Sequence, residues 1–360
     1  MKFSAFSLMQ WPEDRSQRDV FDNELGQLTL AEAQGYHCAW LAEHHFSRYG
    51  IGPAIHLFAA NLAARTRTIR IGTAITILPF MHPLRVAEEV AMLDILSEGR
   101  IEWGVGRGYQ GHEFQGFAVD IGQSHKIFYE QLEVIKKAWT GEPFAHAGEF
   151  YNFDELQCFP NPIQQPGPSI YIAALSPSTI EWAAENGYPV LADQFSPVAR
   201  LEKNRRLYLD AAASAGISAN TAGTPTLRQV YVGETMKKAR EEAASGLLWY
   251  YRSLARVGSP AGNPSDPLPE NYSFYRVFGE DGFNPHKDNS DKDPDGFLKF
   301  LFDECTIIGD EAYCRDRIAE LRETIGLDHL IAWQNFGDLH HEQTLASQER
   351  LIEKVAPAFA

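Results

Sequence analysis

No run among the 360 residues reaches 18 uncharged apolar positions, the length that a membrane-crossing helix needs, so no spanning segment is expected. An excess of positive charge is also missing. Against 48 acidic residues stand 32 Lys and Arg, for a formal net charge of -16. A surface of that sign repels phosphate backbones and anionic lipids, which argues against nucleic acid or membrane as partners. Cysteine is scarce: Cys38, Cys158, Cys305 and Cys314 form no CxxC pair and no zinc-finger spacing. They read as reduced, apolar packing residues of a cytoplasmic protein, with no metal site. A dinucleotide fingerprint is lacking too, because GVGRG at 104–108 brings its third glycine one residue too early for GxGxxG. A local anion pocket is still compatible with the overall charge, since a few basic groups and backbone N–H donors suffice. The opening MKFSAFSLMQ has one Lys, and Pro12, Glu13 and Asp14 follow before any cleavage-like site. It reads as a first strand, not a leader.

What is present is 44% apolar residues, 12% of the chain aromatic, arranged in short β-rich runs that alternate with helix-period segments. The strand candidates are KFSAFSLM, CAWLAEH, IRIGTAITIL, IEWGVGRG, SIYIAAL, PVLAD, RQVYVGE and DHLIAWQNF. Between them lie segments such as PAIHLFAANLAART and SHKIFYEQLEVIKKAWTG, with apolar residues at i, i+3, i+4 and i+7. Eight strands each followed by a helix close most simply as a (β/α)8 barrel; a doubly wound open sheet is the runner-up. Two segments fall outside the repeat. One is 148–169, where aromatic alternation runs into a Pro-rich turn. The other is 257–296, dense in Pro, Gly, Asn and Asp and placed after the seventh helix, which reads as an insertion or lid. With no repeat and no linker, residues 1–360 are expected to form a single domain.

In a barrel of this kind reacting groups gather at the C-terminal ends of the strands. Those ends offer Glu43, His44 and His45 on strand two and Gly106, Arg107 and Gly108 on strand four. Strand five offers Ser176, Ser178 and Thr179, strand six Asp193 and Gln194, and strand eight Gln334 and Asn335. His44 and His45 are neighbours, so extended backbone turns them to opposite sides and they cannot share one metal. The plainer reading of each is a hydrogen-bonded structural histidine.

The glycines of GVGRG have two readings. They either let a planar ligand approach the backbone beside Arg107 or allow tight packing in a narrow barrel. In ALSPSTIEWAAENG, Ser176 suits an N-cap and Pro177 the first helical position, so the helix opens with unpaired N–H groups. That is a well-capped helix on the plain reading. Beside Arg107 on the adjacent strand, it is also a site suited to a phosphate monoester.

These stretches, AEHHF, GTAITILPFMHPLRVAEEVAMLDILSEGRIEWGVGRGYQ, YIAALSPSTIEWAAENG and TIIGDEAYCRDRIAELRETIGLDHL, together resemble the bacterial luciferase-like flavin-dependent monooxygenases. The resemblance covers most of residues 1–256 and returns over 306–360. It implies a (β/α)8 barrel that binds reduced FMN at its mouth, adds O2 at the flavin C4a to give a peroxyflavin, and oxygenates a small organic substrate.

His44 matches the family's catalytic histidine and His45 a second, more structural one. Arg107, with Ser176 and Thr179, matches the phosphate grip, and Ser178 is counted with the cofactor-binding residues. Ala74 and Ile75 match a non-prolyl cis peptide against the flavin ring, with local strain expected there, and Gly106 and Leu175 complete the implied cofactor site. Glu43, Tyr109 and Gln194 are implied around the substrate or behind these groups. The chain departs from luciferase at Gly106, where a reactive cysteine stands, at Gln194 in place of an aromatic residue, and at Leu175 in place of a carboxylate. Light emission is therefore not expected.

The resemblance further implies a separate NAD(P)H:flavin reductase and a homodimer built on helices two and three. Two alternatives use the same fold: hydride transfer with F420 and no O2, or a non-catalytic flavin-binding subunit.

Overall fold

The computed structural model of the chain describes residues 1–218, 224–262, 267–277 and 293–360. β1 (Lys2–Ser7) leads to α1 (Gln17–Gln34), β2 (Cys38–Leu41) to α2 (Ile55–Arg65), and β3 (Arg70–Ile77) to α3 (Pro83–Leu96). β4 (Ile101–Gly106) is followed by the short α4 (Gly111–Gly116) and the long α5 (Ser124–Trp139). A hairpin of β5 (Phe144–Ala147) and β6 (Asn152–Leu156) then breaks the alternation. It resumes with β7 (Ser169–Ala173) and α6 (Pro177–Glu185), β8 (Val190–Leu191) and α7 (Val198–Ser214), and β9 (Thr226–Val232) and α8 (Met236–Val257). The chain ends with α9 (Pro294–Phe300), β10 (Ile307–Gly309), α10 (Glu311–Ile325), β11 (His329–Trp333) and α11 (His341–Arg350).

All eight expected strands form and pair in parallel in the order β9-β11-β1-β2-β3-β4-β7-β8, with β10 added beside β9. The ring closes at Ala192, just past β8. Its N–H donates to the Pro225 carbonyl at 2.9 Å and its carbonyl accepts from Leu227 N–H at 3.0 Å. That parallel bridge to Thr226 makes the sheet a barrel and rules out the open doubly wound alternative.

The sequence reading passed over β10, which is only three residues long. It also began the excursion at 148, whereas the hairpin starts at Phe144, whose ring packs edge-on against Phe153 across the two strands.

Local chemistry sets the helix ends. Ser16 and Asp19 cap α1 reciprocally, the Asp19 N–H donating to Ser16 Oγ and the Ser16 N–H to Asp19 Oδ2, each at 3.1 Å. Gly35 ends it with φ +88°. Inside, large aromatics fill the barrel and its shell. Trp103 meets Trp139 edge-on at 4.9 Å, and Trp40 meets Tyr171 at 5.2 Å. Gly72 is required here, because a Cβ would run into the Trp40 indole. Burying each Leu, Ile or Phe of this core stabilises the fold by roughly 1.5–3 kcal/mol. The four cysteines are buried and unpaired.

Of the segment expected as a lid, residues 263–266 and 278–292 lie outside the described residues. Its described parts fold back over the loop that follows β4: the Gly111 N–H donates to the Ser259 carbonyl at 3.0 Å, and Asn271 Nδ2 to the Ile121 carbonyl at 3.0 Å. No helix among the described residues is long and apolar enough to cross a membrane.

Candidate active site

The C-terminal ends of β1, β2, β3, β4, β7 and β8 surround an open cavity. Of the residues singled out in the sequence, Glu43, His44, Ala74, Ile75, Gly106, Arg107, Gly108, Tyr109, Leu175, Thr179, Asp193 and Gln194 line it. Apolar wall is supplied by Phe6, Leu8, Ala42, Leu191, Phe195, Leu227 and Ile331.

His44 and His45 part as extended backbone requires. His44 faces the cavity, and the Tyr49 ring stands edge-on to it at 4.8 Å. His45 turns away, its Nε2 3.0 Å from Glu43 Oε1 and its ring edge-on to Phe117 at 4.7 Å. The other oxygen of Glu43 accepts the Ile77 N–H at 3.1 Å, so this carboxylate ties the end of β2 to the end of β3. On the far side of His44 lies Glu113, from α4, fully buried. Its Oε1 is 3.0 Å from His44 Nδ1 and accepts the His45 N–H at 2.8 Å.

The Ala74–Ile75 peptide is cis, and the pairing of β3 with β4 slips between Thr73 and Thr76 at the same place. The glycine run of β4 answers the two readings left open in the sequence. A Cβ at Gly104 would strike the Thr73 carbonyl oxygen, and one at Gly106 the Ile75 side chain. Gly104 therefore serves close packing of neighbouring strands. Gly106 serves both ends, since it also borders the cavity.

At one side of the cavity Arg107 makes no ion pair or hydrogen bond among the described residues; its guanidinium faces the Tyr272 ring at 5.1 Å. Ser176 caps α6 as expected, its Oγ accepting the Thr179 N–H at 3.3 Å and lying 2.7 Å from Thr179 Oγ1. Ser176 sits just behind the cavity wall and Thr179 on it. Ser178 is exposed on the first turn of α6 and does not line the cavity, because the helical rotation carries it away from Thr179. Tyr129 lies beside this region, and burial raises its phenol pKa against the opposing influence of the nearby Arg107 charge. His125 is also close enough to Arg107 that burial and that charge both lower its pKa.

A second polar feature is a row of phenols. Tyr49 Oη lies 3.4 Å from both Tyr109 Oη and Tyr250 Oη. Gln110 Nε2 donates to Tyr109 at 3.2 Å, and Gln194 Nε2 donates to Tyr250. Burial pushes the Tyr109 phenol up to about 12 and raises Tyr49 and Tyr250 well above the usual phenol range. All three stay protonated at neutral pH and remain hydrogen-bond donors.

Three strand-end candidates are structural. Asp193 folds its carboxylate onto its own loop, Oδ1 accepting from Phe195 N–H at 3.0 Å and Ser196 N–H at 2.6 Å. Gln334 accepts from Tyr36 Oη at 2.7 Å, and Asn335 donates to Gln27 at 2.9 Å, outside the cavity. The sequence reading missed Glu113, Tyr250 and Tyr272. GHEFQG carried one signal, a lone carboxylate among glycines and an aromatic directly after a strand end. Tyr250 hides in the apolar stripe of α8, and Tyr272 in the Pro-rich insertion.

Comparison with known proteins agrees with this geometry. The family described as luciferase-like monooxygenase matches residues 1–329. The oxygenase component of a flavin-dependent trigonelline monooxygenase from Acinetobacter baylyi is 28% identical over 100% of this chain and 96% of that one. The alkanal monooxygenase alpha chain of the Kryptophanaron alfredi symbiont is 34% identical, over 53% of this chain and 54% of its own. Among solved structures, a monooxygenase from Streptomyces bottropensis superposes over 100% of both chains with a TM-score of 0.83 at 26% identity.

Proposed function

The chain belongs to the luciferase-like monooxygenase family, and we propose that it uses reduced FMN and O2 to insert one oxygen atom into a small, neutral, largely apolar carbonyl compound. The observation that carries the FMN assignment is Arg107. It is a guanidinium without a carboxylate partner among the described residues, and it borders the same cavity as the first turn of the capped helix α6.

The residues present fit the cofactor. Arg107, Ser176 and Thr179 would hold the phosphate, while Ala74, Ile75, Gly106 and Leu175 would face the ring. The cavity is open at the strand ends, and its lining draws on both the phosphate-side and the ring-side groups, so one ligand can touch both.

When bound, reduced flavin supplies the electrons that activate O2. The chain's own groups do the rest. Apolar side chains from β1, β8 and β9 exclude water from the reacting volume. His44, at the cavity wall, accepts or returns a proton. The protonated phenols of Tyr49 and Tyr109 offer donors to a carbonyl oxygen, and the described wall holds no unpaired carboxylate to favour a cation. With no dinucleotide fingerprint in the sequence, the reduced flavin comes from a separate reductase in this reading, as the name of the Acinetobacter relative also suggests for that protein.

Titration with FMN, followed by turnover of a panel of aldehydes and ketones under 18O2 with a flavin reductase, tests the proposal. One labelled oxygen in the product is expected. Failure to bind FMN in either redox state, or product free of label, would sink it. Turnover with F420 and no O2 uptake would install the hydride-transfer alternative.

We read residues 1–360 as one domain and the active form as a homodimer. Leu57 on α2 and Met92 and Leu96 on α3 are exposed by 75%, 52% and 58%, an apolar face of the kind that subunits cover. Sedimentation as a monomer at micromolar concentration would refute the dimer.

A further inference from the structure

The pairing of His44 with Glu113 goes beyond what the oxygenase reading, on which it rests, requires. Glu113 has no exposed surface. Its Oε1 accepts the His45 N–H at 2.8 Å and lies 3.0 Å from His44 Nδ1, while its Oε2 is buried with no partner among the described residues. A carboxylate oxygen that already accepts one N–H is an acceptor for the second contact as well, so the proton between the two side chains belongs on Nδ1. His44 Nε2 makes no hydrogen bond among the described residues, and the ring borders the cavity.

The ring has little freedom to turn. Tyr49 stands edge-on at 4.8 Å and Tyr109 at 6.2 Å, and the Nδ1 edge is held against Glu113 at 3.0 Å. The charged or titratable groups that face the imidazole are thus Glu113, Tyr49 and Tyr109, with Glu43 reserved for His45.

We infer that Glu113 is the positioning residue for His44. It holds the imidazole as the Nδ1–H tautomer, turns the Nε2 lone pair to the cavity, and compensates the positive charge when Nε2 takes a proton from substrate or cofactor. The unpartnered Oε2 fits this role. The one partnered oxygen of Glu113 stands 3.0 Å from Nδ1, on the side of the ring away from the cavity, where it can orient the imidazole without blocking Nε2.

The test has two readouts. Histidine-selective 15N labelling of the intact protein, with the His44 signal identified by its loss in His44→Ala, reports the tautomer without any turnover. A proton on Nδ1 and a bare Nε2 are expected; a proton on Nε2 in the wild type would overturn the inference. In steady-state oxygenation, Glu113→Gln is expected to lower kcat ~10–100-fold with KM changed less than about threefold. Glu113→Asp, which keeps the charge, recovers part of the loss. An unchanged kcat in folded Glu113→Gln would also overturn it. Should the wild type prove not to oxygenate at all, the functional reading fails while the tautomer measurement still decides the role of Glu113. The wild-type spectrum likewise stands if Glu113→Gln does not fold.

Discussion

The guanidinium of Arg107 faces the Tyr272 ring at 5.1 Å, and the Tyr272 hydroxyl donates to the Gly108 carbonyl at 2.6 Å, one residue further along the chain. A residue of the long insertion is thereby tied to the corner of the cavity that Arg107 occupies.

From this corner comes a prediction that separates the phosphate from the ring. Arg107→Ala is expected to weaken FMN binding by ~10–100-fold while leaving riboflavin, which lacks the phosphate, within about threefold. Parallel fluorescence titrations measure both. Equal losses for the two ligands would place Arg107 elsewhere than at the phosphate.

Gly104 tests the packing reading of the glycine run. A methyl group there meets the Thr73 carbonyl oxygen, which is backbone and cannot move aside without disturbing the pairing of β3 with β4. Gly104→Ala is expected to destabilise the protein by ~2 kcal/mol or more, seen as a lowered Tm. A Tm within a degree of wild type would mean that the barrel is looser at this point than the structure shows.

How far the sequence revealed all this can be judged from the same residues. The barrel was legible because each strand is a compact β-rich run and the helices between them carry an apolar period, with side-chain caps on α1, α6, α8 and α10. β8, only two residues in the sheet, was found because PVLAD still stands out between two helices. That His44 and Arg107 stand at the cavity wall was legible because both lie at strand ends, where a barrel opens its cavity. Glu113 was not, for its meaning depends on a contact spanning 69 residues, and no local pattern encodes such a contact. Ser178 looks equivalent to Thr179 in the motif, and only the helix rotation separates them, leaving Ser178 exposed while Thr179 lines the cavity. The cis bond at Ala74–Ile75 came from family resemblance alone; nothing in the two side chains announces it.

Glu24 offers a prediction about stability and pH. It is buried on α1, accepts a hydrogen bond from Asn335, and burial raises its carboxyl from an ordinary 4.5 to about 7. The folded state therefore holds this proton more tightly than the unfolded chain does. The contribution is full below pH 4.5, declines as pH rises, and is lost above about 7. The difference corresponds to roughly 3 kcal/mol by pH 8. Glu24→Gln, which stays neutral, is expected to match wild type in urea unfolding near pH 5 and to exceed it at pH 8. A stability gap independent of pH would show that Glu24 ionises normally in the fold.

His44 has two nitrogens with separate tasks, and a pair of substitutions can isolate them. Asn carries an N–H donor near the place of Nδ1, so His44→Asn can keep the contact with Glu113 while deleting Nε2; His44→Ala deletes both. If the chemistry depends on Nε2, the two variants lose kcat alike, by ~10²–10⁴-fold, and both still bind FMN. If His44 instead serves only to anchor the turn after β2 through Glu113, His44→Asn retains most of the activity and His44→Ala alone loses it. The ratio of the two rates, measured under saturating reduced flavin with one fixed substrate, decides between a proton carrier and a structural pin. The accessible edge of the ring at the cavity wall and its unbonded Nε2 favour the first.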